Sequence, residues 1–263
     1  VTIGLIRNNT ILTNDTSGSI GIVLQGIANG DPLHNSIINN TMNATGSAGN
    51  HKGIKIHLTT ITDADINLTD NTIIATGSTD SIGVSLTNAT QLNFFRNSIF
   101  TSGTTGMVTI NGLRSSTLKY NNINASKDPS GGGLFGSTIN YSIGGEGTNI
   151  SFNNLSHSGS TGQAIILTAA HNASNISDNV FLGAQSAIGI GGNAVNYIID
   201  RNNFTITSAT AIAIASTGAS NNFTAINNFV KAGNTIYSNT VTAEIQKECG
   251  FRKPLVIWRQ PKF

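Results

Sequence analysis

A six-residue frame recurs along the chain and constrains its fold more than any other feature. The frame is an apolar residue, two variable residues, Asn, one variable residue and a second apolar residue; Phe94–Ile99 is its clearest copy. Successive frame asparagines are 23 to 32 residues apart, and recurrence at about 20–50 residues indicates a repeat architecture. The frame asparagines are Asn9, Asn40, Asn71, Asn97, Asn121, Asn153, Asn179, Asn202 and Asn227.

Each frame is predicted to be a strand that bends at its Asn and then starts again. Its two apolar residues are too close together for a helical stripe, and polar residues separate them. Asn tolerates the left-handed backbone conformation of a tight bend, so we expect the frame Asn to adopt it. The side-chain amide offers both donors and acceptors. Coils stacked ~4.8 Å apart would therefore let these amides form a hydrogen-bonded ladder.

A second pattern, strict alternation of apolar and polar residues, follows the frames and predicts a strand with one buried face. Examples are Ile20/Ile22/Leu24, Ile54/Ile56/Leu58 and Ile82/Val84/Leu86, often with Gly beside the first apolar residue. Parallel strands need long crossovers, which the rest of each coil supplies. The sequence predicts an all-β fold: a single-stranded parallel β-helix solenoid of about nine coils over residues 1–243. Residues 244–263 are expected to form a non-repeat cap or docking tail.

The frame resembles the right-handed parallel β-helix superfamily, whose best-known members are pectate-lyase-like enzymes. Its copies, with strands such as Gly162-Gln163-Ala164-Ile165, also resemble the repeats of polymorphic autotransporter passengers on bacterial surfaces. The resemblance covers residues 1–240 and implies a right-handed coil. It implies no chemistry, because the motif builds the coil.

Composition argues against several classes of function. Only 10% of residues are charged and the net charge is +2, so a nucleic-acid surface is not expected. The sequence contains no run of about 18 apolar residues, so it predicts no transmembrane helix. No signal peptide or cofactor motif is identified. The chain begins at Val1 inside a coil, so we expect a processed chain or a fragment.

Candidate catalytic residues are few. Asp63 and Asp65 lack the further carboxylate that a Ca²⁺-dependent lyase needs, and no metal-ligand spacing of histidines is seen. Lys55 and His57 should project outward together and are the candidate glycan contact. Immediately before the frame asparagines, Asp70 and Arg96, and likewise Asp178 and Arg201, are one coil apart and should form surface ion pairs.

The tail contains the only Trp, and Leu255, Val256, Ile257 and Trp258 are its candidate assembly segment. An unpaired β-helix end must be covered. The segment would either cap its own coil or add as a strand to a neighbouring subunit.

The leading functional hypothesis is a structural or adhesive segment of a secreted or cell-surface protein, self-assembling end to end into a fibre. The alternatives are a polysaccharide-active enzyme (lyase, hydrolase or epimerase) and a carbohydrate-binding module. Expected partners are the chain itself and glycans.

Overall fold

The computed structural model shows an all-β molecule. The residues that it describes are 2–25, 33–57, 65–87, 91–103, 105–110, 115–125, 139–141, 147–157, 163–167, 174–183, 186–191, 195–205, 212–217, 222–230 and 235–239. Their regular structure is entirely β-strand. Within these ranges, no helix has the length and apolar character needed to cross a membrane.

The strands form three sheets of nine strands each, and neighbouring strands pair in parallel. The first sheet contains β1 (Thr2–Arg7), β4 (Leu33–Ile38), β7 (Asp65–Thr69), β10 (Leu92–Phe95), β13 (Thr117–Lys119), β16 (Asn149–Ser151), β19 (Asn175–Ser177), β22 (Val195–Asp200) and β25 (Asn222–Ile226). The second contains β2 (Thr10–Asn14), β5 (Thr41–Thr45), β8 (Thr72–Thr76), β11 (Ser98–Ser102), β14 (Asn122–Ala125), β17 (Asn154–His157), β20 (Val180–Leu182), β23 (Asn203–Thr205) and β26 (Phe229–Val230). The third contains β3 (Ile20–Gln25), β6 (His51–His57), β9 (Asp80–Thr87), β12 (Thr105–Ile110), β15 (Ile139–Tyr141), β18 (Gln163–Leu167), β21 (Ser186–Gly191), β24 (Ile212–Thr217) and β27 (Thr235–Asn239).

The order of pairing makes the chain a parallel solenoid, as predicted. Each strand pairs with the strand three places further along the chain, so the chain passes through all three sheets before it returns to the first. Registers align equivalent frame positions: Ile6 lies beside Ile37, and Ile37 beside Leu68. The side-chain pattern of one coil is thereby repeated in the next.

The core lies between the three sheets and is built from the two apolar positions of each frame together with inward residues of the third sheet such as Ile54 and Ile56. Phe94 and Ile99, which flank Asn97, are almost fully buried. Phe181 and Phe204 occupy the position of Ile99 in two successive coils and stack with ring centroids 4.9 Å apart. Full burial of such a side chain stabilises the fold by roughly 1.5–3 kcal/mol, so one frame contributes to both the strand pattern and the core.

The third sheet departs from strict alternation at its glycines. In β6 the successive residues Gly53 and Ile54 are both buried, which places Lys52 on the outer side. Ile20, Lys52 and Ile82 share one register position. Ile20 is 37% exposed and Ile82 is half-buried. The prediction that these two isoleucines face the core is therefore wrong, because the side-chain pattern shifts at the glycine.

The bend between the first and second sheets also differs from the prediction. The left-handed conformation is adopted by the residue before the frame Asn, for example Arg96 before Asn97, with a φ of 50°. The frame Asn instead points inward: Asn97 is 1% exposed.

The last frame is shifted by one residue. Asn227 has the left-handed backbone, with a φ of 52°, and is exposed, whereas Asn228 is buried. Ala225 pairs with the core residue Ile199, and Val230 pairs with Phe204. The correct frame is therefore Ala225–Asn228–Val230, and the prediction of Asn227 as its inward asparagine is wrong.

Candidate functional site

The inward asparagines form a continuous column of hydrogen bonds, here called the asparagine column. Asn121 Nδ2 donates to the Phe94 carbonyl and to Asn153 Oδ1, each at 2.9 Å. Asn121 Oδ1 accepts from the backbone N and the Nδ2 of Asn97, at 2.9 and 3.1 Å. Side-chain bonds of this kind link Asn9, Asn40, Asn71, Asn97, Asn121, Asn153, Asn179, Asn202 and Asn228 in order.

The residues that precede these asparagines form a second, outward column, here called the bend column. Their φ values lie between 50° and 59°. Most of these side chains are exposed, so the column runs along the surface of the solenoid from coil to coil. Its members are Asn8, Asn39, Asp70, Arg96, Tyr120, Phe152, Asp178, Arg201 and Asn227.

Two ion pairs occupy the bend column, and both confirm the sequence prediction. Arg96 Nε and Nη2 donate to Asp70 Oδ1 and Oδ2 at 2.6 and 2.7 Å. Arg201 Nε and Nη2 donate to Asp178 at 2.7 and 2.9 Å, and its Nη1 also contacts Asp200 Oδ2. Hydrogen bonds from these guanidinium groups lower the pKa of the Asp70 and Asp178 carboxyls.

Between the ion pairs lies an aromatic file, formed by Phe95, Tyr120 and Phe152. Tyr120 and Phe152 stack with centroids 5.2 Å apart and planes 11° apart, and Phe95 meets Tyr120 edge-on at 5.2 Å. The Arg96 guanidinium carbon lies 4.3 Å from the centroid of the Phe95 ring. The file therefore runs across three successive coils from Arg96 toward Asp178. The sequence analysis did not identify it as a site, although the position before the frame Asn is the signal that places Tyr120 and Phe152 outside the core.

The candidate glycan contact, Lys55 and His57, lies on β6 in the third sheet. Lys55 is half-buried and pairs with Val23 and Ser85. The backbone of His57 pairs with Gln25 and Thr87. Among these strand partners there is no carboxylate.

The structure describes one of the two candidate carboxylates, Asp65, and the side chains of two of the histidines. Asp65 lies on β7, where its Oδ2 is 3.6 Å from His34 Nδ1. His51 is fully buried and hydrogen-bonded at both ring nitrogens, by the Ser19 hydroxyl and the Ala48 carbonyl, each at 2.8 Å. Asp63 and the segment Leu255, Val256, Ile257 and Trp258 lie outside the described residues.

Comparisons with known proteins give no family for this chain. Protein-family models, the curated proteins and the solved structures all yield no match. In the part of the chain that the structure describes, no three His, Cys, Asp or Glu side chains come together as a metal-binding group.

Proposed function

We propose that the chain is a structural or adhesive segment of a secreted or cell-surface protein that assembles end to end into a fibre. In this proposal it is a right-handed solenoid of nine coils, the number of strands in each sheet, and the asparagine column acts as a ladder that fixes the stacking register. The observation that carries the proposal is the parallel stacking of successive coils, which the asparagine column follows from Asn9 to Asn228. In the assembly that we propose, the edge formed by the first strand of each sheet receives the next copy of the chain.

That edge has the features of a docking face for another coil. Within the described residues, strands β1, β2 and β3 each pair with one neighbour. Ile6 and Ile11 are half-buried, whereas their register partners Ile37 and Met42 are fully buried. Edge strands with unpaired backbone groups are templates for further strands, and a parallel coil added here would complete the burial of these side chains.

The asparagine column gives this edge a direction. Asn9 donates to Asn40 Oδ1 through both its backbone N and its Nδ2. Its own Oδ1 accepts no hydrogen bond from any described residue, although the Oδ1 of each following column asparagine accepts two. An incoming coil with a donor at this position would extend the column, which favours head-to-tail over head-to-head contact.

The test is sedimentation velocity and electron microscopy of the purified chain at several concentrations. We expect filaments or a concentration-dependent increase in mass, and we expect Ile11→Lys to abolish both, because an inward charge on an edge strand opposes pairing. Leu12→Lys is the matched control: Leu12 is the next residue of β2 and is 72% exposed on the outer face.

Two outcomes would contradict the proposal. A chain that stays monomeric at all concentrations has no end-to-end contact, and assembly lost in Leu12→Lys but kept in Ile11→Lys would be lateral. A truncation after Lys247 tests separately whether the Leu255–Trp258 segment forms the joint. The enzyme alternative has no specific observation in its favour, since Lys55 lies without a carboxylate among its strand partners.

A further inference from the structure

One inward column of the first sheet changes from apolar to hydroxyl side chains along the solenoid. The column lies two residues before the first apolar residue of each frame, as Thr148 lies before Ile150, so alternation turns it toward the core. All of its members listed here are at most 4% exposed. In successive coils they are Ile66, Leu92, Ser116, Thr148, Ser174 and Tyr197, and the last four are here called the hydroxyl column.

Most of the hydroxyl column has no hydrogen bond to the rest of the fold. Ser116 is satisfied, because its Oγ accepts from the backbone N of Leu92 at 3.0 Å. The hydroxyl oxygens of Thr148, Ser174 and Tyr197 are buried and have no hydrogen-bond partner among the described residues. A buried polar group in this state is costly, and such groups are rare in folded proteins. Their occurrence in three successive coils calls for one explanation.

The spacing of the column prevents its hydroxyl groups from pairing with one another directly. Equivalent residues of adjacent strands lie ~4.8 Å apart, whereas a hydrogen bond between two hydroxyl oxygens spans about 2.5–3.0 Å. One water molecule between Thr148 and Ser174, with a hydrogen bond of about 2.8 Å to each, would span that separation in a bent geometry. The spacing therefore fits a bridging molecule of the size of water.

The chemistry around the column favours water over an ion. The members of the column carry no charged side chain, and burial raises the pKa of the Tyr197 hydroxyl, which keeps it neutral. The core residues that follow on the same strands, such as Ile150 and Ile176, are apolar. An ion would be costly in these surroundings, whereas a buried water needs only two to four polar partners.

The side chains of the hydroxyl column also differ in size from those that precede them. Ile66 and Leu92 fill the same position in the earlier coils. Thr148 and Ser174 have smaller side chains, so they occupy less of the interior. Close packing normally excludes water from a core, and smaller side chains that also offer hydroxyl groups are the residues expected where water is retained.

We propose that the hydroxyl column binds internal water molecules, one of which bridges Thr148 Oγ1 and Ser174 Oγ while another is held by the Tyr197 hydroxyl. These waters supply the hydrogen bonds that Ser116 obtains from the backbone. The site lies inside the solenoid, so the proposal does not depend on end-to-end assembly.

The direct test is a high-resolution crystal structure of the full chain. We expect ordered water within hydrogen-bond distance of Thr148 Oγ1 and Ser174 Oγ, and also of the Tyr197 hydroxyl. The proposal is overturned if the site is dry. It is also overturned if the hydroxyl groups bond to protein groups instead, for example if Thr148 Oγ1 accepts from the backbone N of Ser116.

A second test uses the direction of a stability change. Tyr197→Phe and Ser174→Ala each remove one hydroxyl group and add no volume. If that group holds a water, its loss removes a hydrogen bond and should lower the melting temperature and the urea midpoint. If the group is unpaired in a dry core, its loss relieves a desolvation cost and should raise both values, which would overturn the proposal.

Two exposed positions provide matched controls for these variants. Tyr120→Phe and Ser98→Ala remove the same groups from side chains that face solvent. Both should leave the melting temperature nearly unchanged, because water replaces the lost contacts. Changes in Tyr197→Phe and Ser174→Ala that are no larger than those of the controls would also contradict the proposal, since bound water would then contribute nothing to the fold.

Discussion

At the scale of single residues, the outward position of the bend accepts several types of side chain, whereas the inward position does not. The bend column accepts Asn, Asp, Arg, Tyr and Phe in nearly the same left-handed conformation, which costs roughly 1–2 kcal/mol for a residue other than Gly. The next residue inward is Asn in every described coil. Its four side-chain hydrogen bonds, as at Asn121, contribute about 1 kcal/mol each and offset that cost.

The two ion pairs should make the folded state less stable at acid pH. Arg96 and Arg201 lower the folded-state pKa of Asp70 and Asp178 below the ordinary value of 3.8. Their contribution is therefore fully present above the unfolded pKa and is lost as the pH falls through the lower, folded pKa. We expect the melting temperature of the double variant Asp70→Asn/Asp178→Asn to fall less between pH 6 and pH 2 than that of the unsubstituted chain.

The measurement is a series of thermal melts followed by circular dichroism. Asp65→Asn is the matched control, because Asp65 is exposed and lies 3.6 Å from His34 Nδ1, with no Arg or Lys paired to it among the described residues. The difference should be small, a few degrees at most, since solvent screens exposed pairs. Parallel pH profiles for the double variant and the unsubstituted chain would show that the pairs do not stabilise the fold.

At the scale of strands, the glycines of the third sheet allow neighbouring strands and sheets to pack closely. A Cβ added to Gly53 would overlap Ile73 Cγ2 and lie 2.6 Å from the Gly83 carbonyl oxygen. Ile73 lies on β8 of the second sheet, inside the core. Gly53 therefore allows the second and third sheets to approach each other, and it is also the point where the alternation shifts.

We predict that Gly53→Ala destabilises the fold by about 1–3 kcal/mol, the usual cost of overpacking. Urea unfolding measures the change. Gly147→Ala is the control: nothing lies within 4 Å of its added Cβ, but its φ is +69°, so only backbone strain of roughly 1 kcal/mol is expected. A smaller effect at Gly53 than at Gly147 would mean that the sheets separate easily.

Much of the strand organisation could be predicted from the sequence, because the frame combines a bend with two inward apolar residues. The parallel solenoid and the Asp–Arg pairs follow from that spacing. The shift at Gly53 does not, since alternation alone cannot indicate where two successive residues turn inward. The position of the last frame is ambiguous in the sequence, because Asn227 and Asn228 are adjacent. Phe229 suits the second apolar position after Asn227, but the first position would then be the polar Thr224, whereas Ala225 and Val230 suit the frame around Asn228.

The site was less predictable than the fold. The frame places Tyr120 and Phe152 outside the core, so their exposure could have been inferred. Their mutual stacking could not, because ring orientation depends on the separation and twist of adjacent coils. The Lys55–His57 pair follows from alternation on one strand, which places both residues outward, but alternation does not indicate which residues lie beside them. Their strand partners include no carboxylate.

At the scale of the whole molecule, each coil contacts mainly the coils on either side of it. Stability in such an array is a sum of coil and nearest-neighbour terms. The asparagine column runs through all these contacts. Its interior members are buried and accept hydrogen bonds, whereas Asn9 is exposed and, among the described residues, acts as a donor without accepting. The same substitution should therefore have different consequences in the middle and at the first coil.

We predict that Asn121→Ala costs on the order of 3 kcal/mol, because the Phe94 carbonyl and the two Asn97 donors lose their Asn121 partner. Asn153 Oδ1 loses one of its two donors and keeps the backbone N of residue 121. Asn9→Ala should cost under about 1 kcal/mol, since Asn40 Oδ1 still accepts from the backbone N of residue 9. Urea unfolding measures the change in the free energy of unfolding for each variant. Asn122→Ala is the control, because the side chain of Asn122 is exposed. Hydrogen exchange should show lost protection in the coils on both sides of Asn121, but only in the first coil for Asn9→Ala. Equal costs and uniform loss of protection would mean that the solenoid unfolds as one unit, with no gradient from its edge to its centre.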